Sequence, residues 1–110
     1  MRTWVAQLRK GLVELCVMGA LDGGEAYGYE LLQRLGRAGD LAVTESTVYP
    51  ILVRLAKDGL VDVRTAPSPA GPARRYYRLT RQGRRRLDDM RRTWRELAQS
   101  VHEILAGDAS

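Results

Sequence analysis

Apolar residues recur at helical spacing in the first part of the chain. Val5, Leu8, Leu12, Leu15 and Met18 lie three and four residues apart, one side of a roughly 3.6-residue period. The spacing predicts a helix over 4–21, and Val13, Cys16, Val17 and Ala20 widen its stripe enough for contact on more than one side. Asp22-Gly23-Gly24-Glu25 ends it. A second helix is predicted from about Tyr27 to Arg37, with Tyr27, Leu31, Leu32 and Leu35 inward and Gly36 and Gly39 marking its end. A third begins near Thr44-Glu45-Ser46, where Thr44 or Ser46 supplies the N-cap oxygen. Val48, Ile51, Leu52 and Leu55 form its apolar face, and Lys57-Asp58-Gly59-Leu60 closes it, with Gly59 left-handed and Leu60 packing back. Pro50 removes one helical N–H, a tolerable loss early in a helix.

Two short strands follow, at 60–65 and 74–79, joined by a long exposed tip rich in proline and small residues at 66–73. Of the adjacent Tyr76 and Tyr77, alternation turns one to the domain and the other, taken as Tyr76, to solvent or DNA. Thr80 then caps a long last helix. Its Leu87, Met90, Trp94, Leu97, Val101 and Ile104 keep an a/d heptad seam over nearly three repeats. A helix over 81–106 would be roughly 40 Å long, more than a small domain covers, so the seam is expected to meet a helix of another chain. The chain is therefore expected to be mainly α with a small β wing (α+β): a DNA-binding unit over 1–80 and a C-terminal dimerisation helix over 81–110.

Charge sharpens this. The 110 residues carry a net charge of +5, concentrated in the middle. Residues 1–43 are balanced; 44–86 hold ten cations and three anions, net +7; 87–110 hold three cations and five anions, net −2. A basic centre between neutral or acidic flanks suits a polyanion. Other chemistry finds little material. The single cysteine, Cys16, forms no intramolecular disulfide or cysteine-based zinc site, and reads as an inert thiol in an apolar helix. His102 stands alone at the seam edge, and Asp88-Asp89 diverge on their helix. No enzyme activity, metal or cofactor is expected. No apolar run approaches a membrane span and the first residues lack a secretory h-region, so the expected place is the cytoplasm.

Helix, helix, helix, hairpin is the winged helix-turn-helix arrangement, in which the third helix enters the major groove and the hairpin lies along the adjacent backbone. Four segments resemble the PadR family of winged-helix transcriptional regulators. They are Leu12-Val-Glu-Leu-Cys-Val-Met-Gly-Ala-Leu21; Tyr27-Gly-Tyr-Glu-Leu31; Ser46-Thr-Val-Tyr-Pro-Ile-Leu-Val-Arg-Leu55 with Asp58-Gly-Leu60; and Arg74-Arg-Tyr-Tyr-Arg-Leu-Thr80 with Gly83. The single C-terminal helix is similar to that of the short-tailed, multidrug-responsive branch. The resemblance implies a homodimer joined through first and last helices, bound to an inverted repeat in double-stranded promoter DNA. It also implies repression, relieved by a small aromatic or hydrophobic effector.

Carried over residue by residue, the recognition-helix contacts fall on Ser46, Thr47, Tyr49, Pro50 and Arg54, and the wing contacts on Arg74 and Arg75. Pro72 replaces the basic residue usual after the wing glycine, which moves any phosphate contact there to Arg74. Tyr27 and Tyr29, at the start of helix two, either pack or offer hydroxyls to a phosphate. The dimer seam is assigned to Leu8, Leu87, Met90, Trp94, Leu97, Val101 and Ile104. Trp94 either fills that seam or serves as an aromatic plate, as the resembled multidrug regulators imply. In the second reading Arg9, Leu12 and Val13 of the first helix and Trp94, Ala98 and Val101 of the last line a cavity on the dimer axis. Ala98 leaves room beside the indole, and Arg9 is the nearest cation for a carboxylate or phenolate. The alternatives are a winged-helix regulator without an effector and a protein-interaction module.

Overall fold

In the computed structural model, residues 2–37 and 43–107 are described; Gly39, expected to help end the second helix, lies outside them. The elements run α1 (Arg2–Leu21), β1 (Ala26–Tyr27), α2 (Gly28–Gly36), α3 (Glu45–Lys57), β2 (Val61–Ser68), β3 (Gly71–Leu79) and α4 (Arg81–Ala106). The three strands form an antiparallel sheet in the order β1-β3-β2. This is a winged helix with a long C-terminal helix, mainly α with a small β wing, as the element order predicted.

The core joins Val13, Val17, Met18 and Leu21 of α1 to Leu31 and Leu35 of α2 and Val48, Leu52 and Leu55 of α3. Leu60, Val61, Tyr77 and Leu79 close it from the wing root, and Leu87 enters from α4. The principal core stripe of α1 is thus the one expected only to widen it. Leu12 and Leu15 are half-buried toward α4, and Trp4 and Leu8 are exposed. Two expectations change with this. Val13 faces the core and lines no ligand cavity, and Leu87, 1 % exposed, is enclosed by its own chain and leaves no surface for a partner.

The expected turns are present. Gly59 (φ 76) follows α3, with Leu60 N–H donating to the Leu55 carbonyl (2.9 Å) and Gly59 N–H to that of Ala56 (3.1 Å). Thr80 caps α4: its hydroxyl accepts from Gly83 N–H (3.0 Å) and donates to the Gly59 carbonyl (2.8 Å), while Thr80 N–H donates to Leu60 (3.1 Å). The first turn of α4 is thereby fastened to the turn that ends α3. Beyond Met90, only Ala98 of α4 is even half-buried.

Two expectations about the wing region are corrected. Tyr27 belongs to β1, paired with Tyr76, and α2 starts one residue later. Two residues carry too little pattern to read as a strand; β1 exists because β3 offers a free edge. The hairpin has almost no tip: Ser68 pairs with Gly71, leaving Pro69-Ala70 as the turn. Pro67 is tolerated because it sits at the register shift between Ala66 and Ser68, where no ladder donor is needed.

Candidate nucleic-acid interface

The core turns Val48, Leu52 and Leu55 inward, which leaves Glu45, Ser46, Thr47, Tyr49, Pro50, Val53, Arg54 and Lys57 exposed on one continuous face of α3. Thr44 occupies the N-cap position. Its hydroxyl meets those of Ser46 (3.0 Å) and Thr47 (3.3 Å) rather than a backbone N–H. These three hydroxyls gather at the helix start, where free backbone N–H groups also favour an anion.

The wing sets its arginines by register. Tyr76 of β3 pairs with Tyr27 of β1 on one side and with Arg64 of β2 on the other. Arg74, two residues before Tyr76, shares its face. The result is a ladder. The Arg74 guanidinium lies over the Tyr27 ring (4.4 Å), Tyr27 meets Tyr76 edge-on (5.5 Å, 66°), and Arg64 covers Tyr76 (4.5 Å). Arg64 ends it on Glu25 through two hydrogen bonds of 2.8 and 2.7 Å. That contact holds the Glu25 carboxyl below the ordinary glutamate range. On the opposite face of β3, Tyr77 is buried and Arg75 donates to the Tyr49 hydroxyl of α3 (2.9 Å). Burial, then the nearby Tyr49, push the Tyr77 phenol up, and Arg75 opposes them.

The arginines of this surface fall into two groups. Arg54 pairs with Glu14 of α1, Arg64 with Glu25, and Arg78 with Asp62 (3.5 Å). Arg74 and Arg75 make no ion pair among the described residues; Arg74 lies over the Tyr27 ring and Arg75 donates to the Tyr49 hydroxyl. Arg54, expected to contact DNA, is thus tethered to α1. Tyr29 is exposed on α2, apart from the ladder.

Sequence matches identify the relatives. A model of the transcriptional regulator PadR-like family matches residues 17–89. The transcriptional regulator Rv3488 of Mycobacterium tuberculosis is 37 % identical over 103 residues, covering 94 % of this chain and 92 % of that protein. The chain belongs to the PadR-like family of transcriptional regulators. Structures agree. A PadR family regulator from Eggerthella lenta superposes with a TM-score of 0.84 at 31 % identity, over 94 % of this chain and 90 % of that one. Bacillus subtilis PadR in complex with operator DNA superposes with a TM-score of 0.65 at 25 % identity, over 72 % of this chain and 46 % of that one. The family is one of regulators and not of enzymes.

A second region of this PadR-like chain lies between α1 and α4. Gly11, Leu12 and Leu15 face Met90, Trp94 and Leu97 across an open groove of about 290 Å³. Of the residues expected to hold an effector, Leu12 and Trp94 line it. Arg9, Ala98 and Val101 are not in its lining, and Val13 is in the core. The groove continues into an apolar stripe of Trp4, Leu8, Leu97, Val101, Ile104 and Leu105, all exposed.

Sequence reasoning missed several positioning residues. Arg34 of α2 donates to the carbonyls of Ala20 (3.1 Å), Gly24 (2.8 Å) and Glu25 (3.2 Å), clamping the turn that leads into β1. Glu30 accepts from Tyr27 N–H (3.1 Å) at the start of α2. Glu14 and Glu25 hold arginines about 40 residues away in the chain, 40 and 39 by count. Only the Tyr27–Glu30 contact had a local signal, a glutamate three residues into a helix.

Proposed function

We propose that this PadR-like chain is a homodimeric, sequence-specific repressor that binds an inverted repeat in promoter DNA and is released by a small hydrophobic or aromatic ligand. One observation carries the DNA reading. Arg74 and Arg75, the wing arginines without carboxylate partners, stand beside the exposed polar face of α3, and Arg75 is bonded to Tyr49 of that helix. A helix that reads bases and a wing that neutralises phosphates are thus held as one piece. The structure of a relative in complex with operator DNA supports the same use of the fold. Ser46, Thr47, Tyr49 and Pro50 are the base-facing set, Arg74 and Arg75 the phosphate set, and Tyr27 and Tyr76 orient Arg74. Tyr29 and Arg54 are flanking contacts.

Dimerisation is assigned to residues 81–110 with α1, through Leu8, Met90, Trp94, Leu97, Val101 and Ile104. The groove beside Trp94 is the effector site of this reading. Because Arg9 is outside its lining, a neutral hydrophobic ligand suits it better than an anion.

The test is binding to the promoter next to the protein's own gene. Arg74→Ala or Arg75→Ala should weaken operator and nonoperator DNA alike and lower the salt slope by about one. Thr47→Ala should cost about 1–3 kcal/mol of discrimination at one base position. Salt-insensitive binding would sink the reading. Ligand release that is unchanged in Trp94→Ala would leave the indole as packing.

A further inference from the structure

Val53 of α3 has 50 % of its surface exposed. It belongs neither to the core nor to the half-buried hydrophobics packed on the core. With Val48, Leu52 and Leu55 turned inward, Val53 lies on the outward side of the helix, in the exposed row Ser46, Tyr49, Pro50, Val53 and Lys57. Pro50 stands about one turn before it, so the middle of the row is apolar: a pyrrolidine ring and the valine methyl groups. Local physics does not place valine there. An exposed helix position favours alanine or a straight-chain residue, and a β-branched side chain loses χ1 freedom against the preceding turn.

The surroundings of this apolar spot suit a polyanion and not an apolar partner. The hydroxyls of Thr44, Ser46 and Thr47 cluster at the start of the helix. Arg75, bonded to Tyr49 of the same row, and Arg74 make no ion pair among the described residues. Lys57 follows one turn after Val53. An apolar patch framed by hydroxyls and cations matches base edges framed by phosphates. The neighbouring Arg54 is drawn aside by Glu14, which leaves the bases opposite Val53 to the valine.

We infer that Val53, its apolar surface widened by Pro50, reads the 5-methyl group of a thymine in the major groove and is a specificity-determining residue of the DNA site. This rests on the operator reading above. Among the base edges of the major groove, thymine alone presents a methyl group. Against thymine, Val53 brings two apolar surfaces together and out of water. Against another base it covers donors or acceptors and returns no hydrogen bond, which is penalised. The preference therefore has an attractive part and a repulsive part.

The experiment uses an operator selected by the full chain from random-sequence duplexes. Each thymine is then replaced in turn by deoxyuridine, which keeps every hydrogen-bonding group and removes only the methyl. At one thymine position the exchange should weaken wild-type binding by about fourfold per half-site, the worth of one buried methyl group. Val53→Ala should bind the thymine operator more weakly and be indifferent to the exchange at that position, with sensitivity elsewhere kept. Its salt slope should match that of the wild type, because no phosphate contact is lost. Alanine is the better helix former, and a melting curve checks that the variant stays folded. Sequence-specific binding with no deoxyuridine penalty at any thymine, or with a penalty that persists in full in Val53→Ala, would overturn the inference and keep the operator reading. Binding without sequence preference would sink both.

Discussion

A methyl group on Gly83 would stand 2.0 Å from the Leu60 carbonyl oxygen and 3.0 Å from its carbon. Both are backbone atoms, so no side chain can swing away. Separating the two segments costs about 1–3 kcal/mol or more, above the roughly 1 kcal/mol that alanine gains over glycine within a helix. Gly83→Ala should therefore lower the urea midpoint by about 2 kcal/mol of stability with an unchanged m-value. If it stabilises the protein, α4 does not dock this closely. Arg34 poses a similar question with polar atoms. Its carbonyl partners are Ala20 in the last turn of α1 and Gly24 and Glu25 in the turn before β1. Arg34→Ala leaves that turn unclamped, and amide exchange should rise first at Glu25–Tyr27 while α3 stays protected. The Thr80 cap was readable in the sequence because its acceptor role is local. Gly83 meets Leu60 and Arg34 reaches carbonyls 9 to 14 residues away, beyond the range of any local pattern.

Ionic tethers connect the elements. Glu25 joins the start of β1 to Arg64 of β2, and its carboxyl lies below the ordinary glutamate range because Arg64 hydrogen-bonds it. A carboxyl depressed in the folded state stabilises fully above its unfolded value, about 4.3 for glutamate, and that contribution is lost as pH falls through the folded value. Stability measured from roughly pH 5 downward should therefore fall less steeply in Glu25→Gln than in the wild type. Identical acid limbs would show that the exposed pair contributes nothing. Glu14 links α1 to α3 through Arg54. Glu14→Gln frees that cation on the recognition helix, so operator affinity should rise and the salt slope steepen by about 0.9. An unchanged slope would mean that Arg54 stays away from phosphate and only braces α3.

The outer half of α4 carries Leu97, Val101, Ile104 and Leu105 with 52–78 % of their surface exposed. Together with Trp4 and Leu8 they form an apolar patch of the kind that marks an interaction surface. Burying each large side chain against a second copy contributes roughly 1.5–3 kcal/mol. Sedimentation should show a dimer for the wild type and a monomer for Leu97→Asp. Its thermal melt should still be cooperative, because Leu97 makes no part of the core. A monomeric wild type at micromolar concentration would refute the proposed assembly.

The sequence by itself determined the helices, the Gly59 turn, the Thr80 cap, the order that makes a winged helix, and the family. Each depends on residues a few positions apart, where periodicity, a glycine or a hydroxyl acts within one turn of backbone. It also marked the basic centre, since charge adds along the chain. Tertiary structure alone decided which α1 stripe meets the core, so Val13 and Leu87 left the surfaces expected of them. It decided that Tyr27 is a strand residue, because β1 needs the edge of β3. It also decided which arginines are tethered to a carboxylate and which, Arg74 and Arg75, are held by tyrosines. Those pairings join residues tens of positions apart, and their geometry exists only once helices and strands have packed.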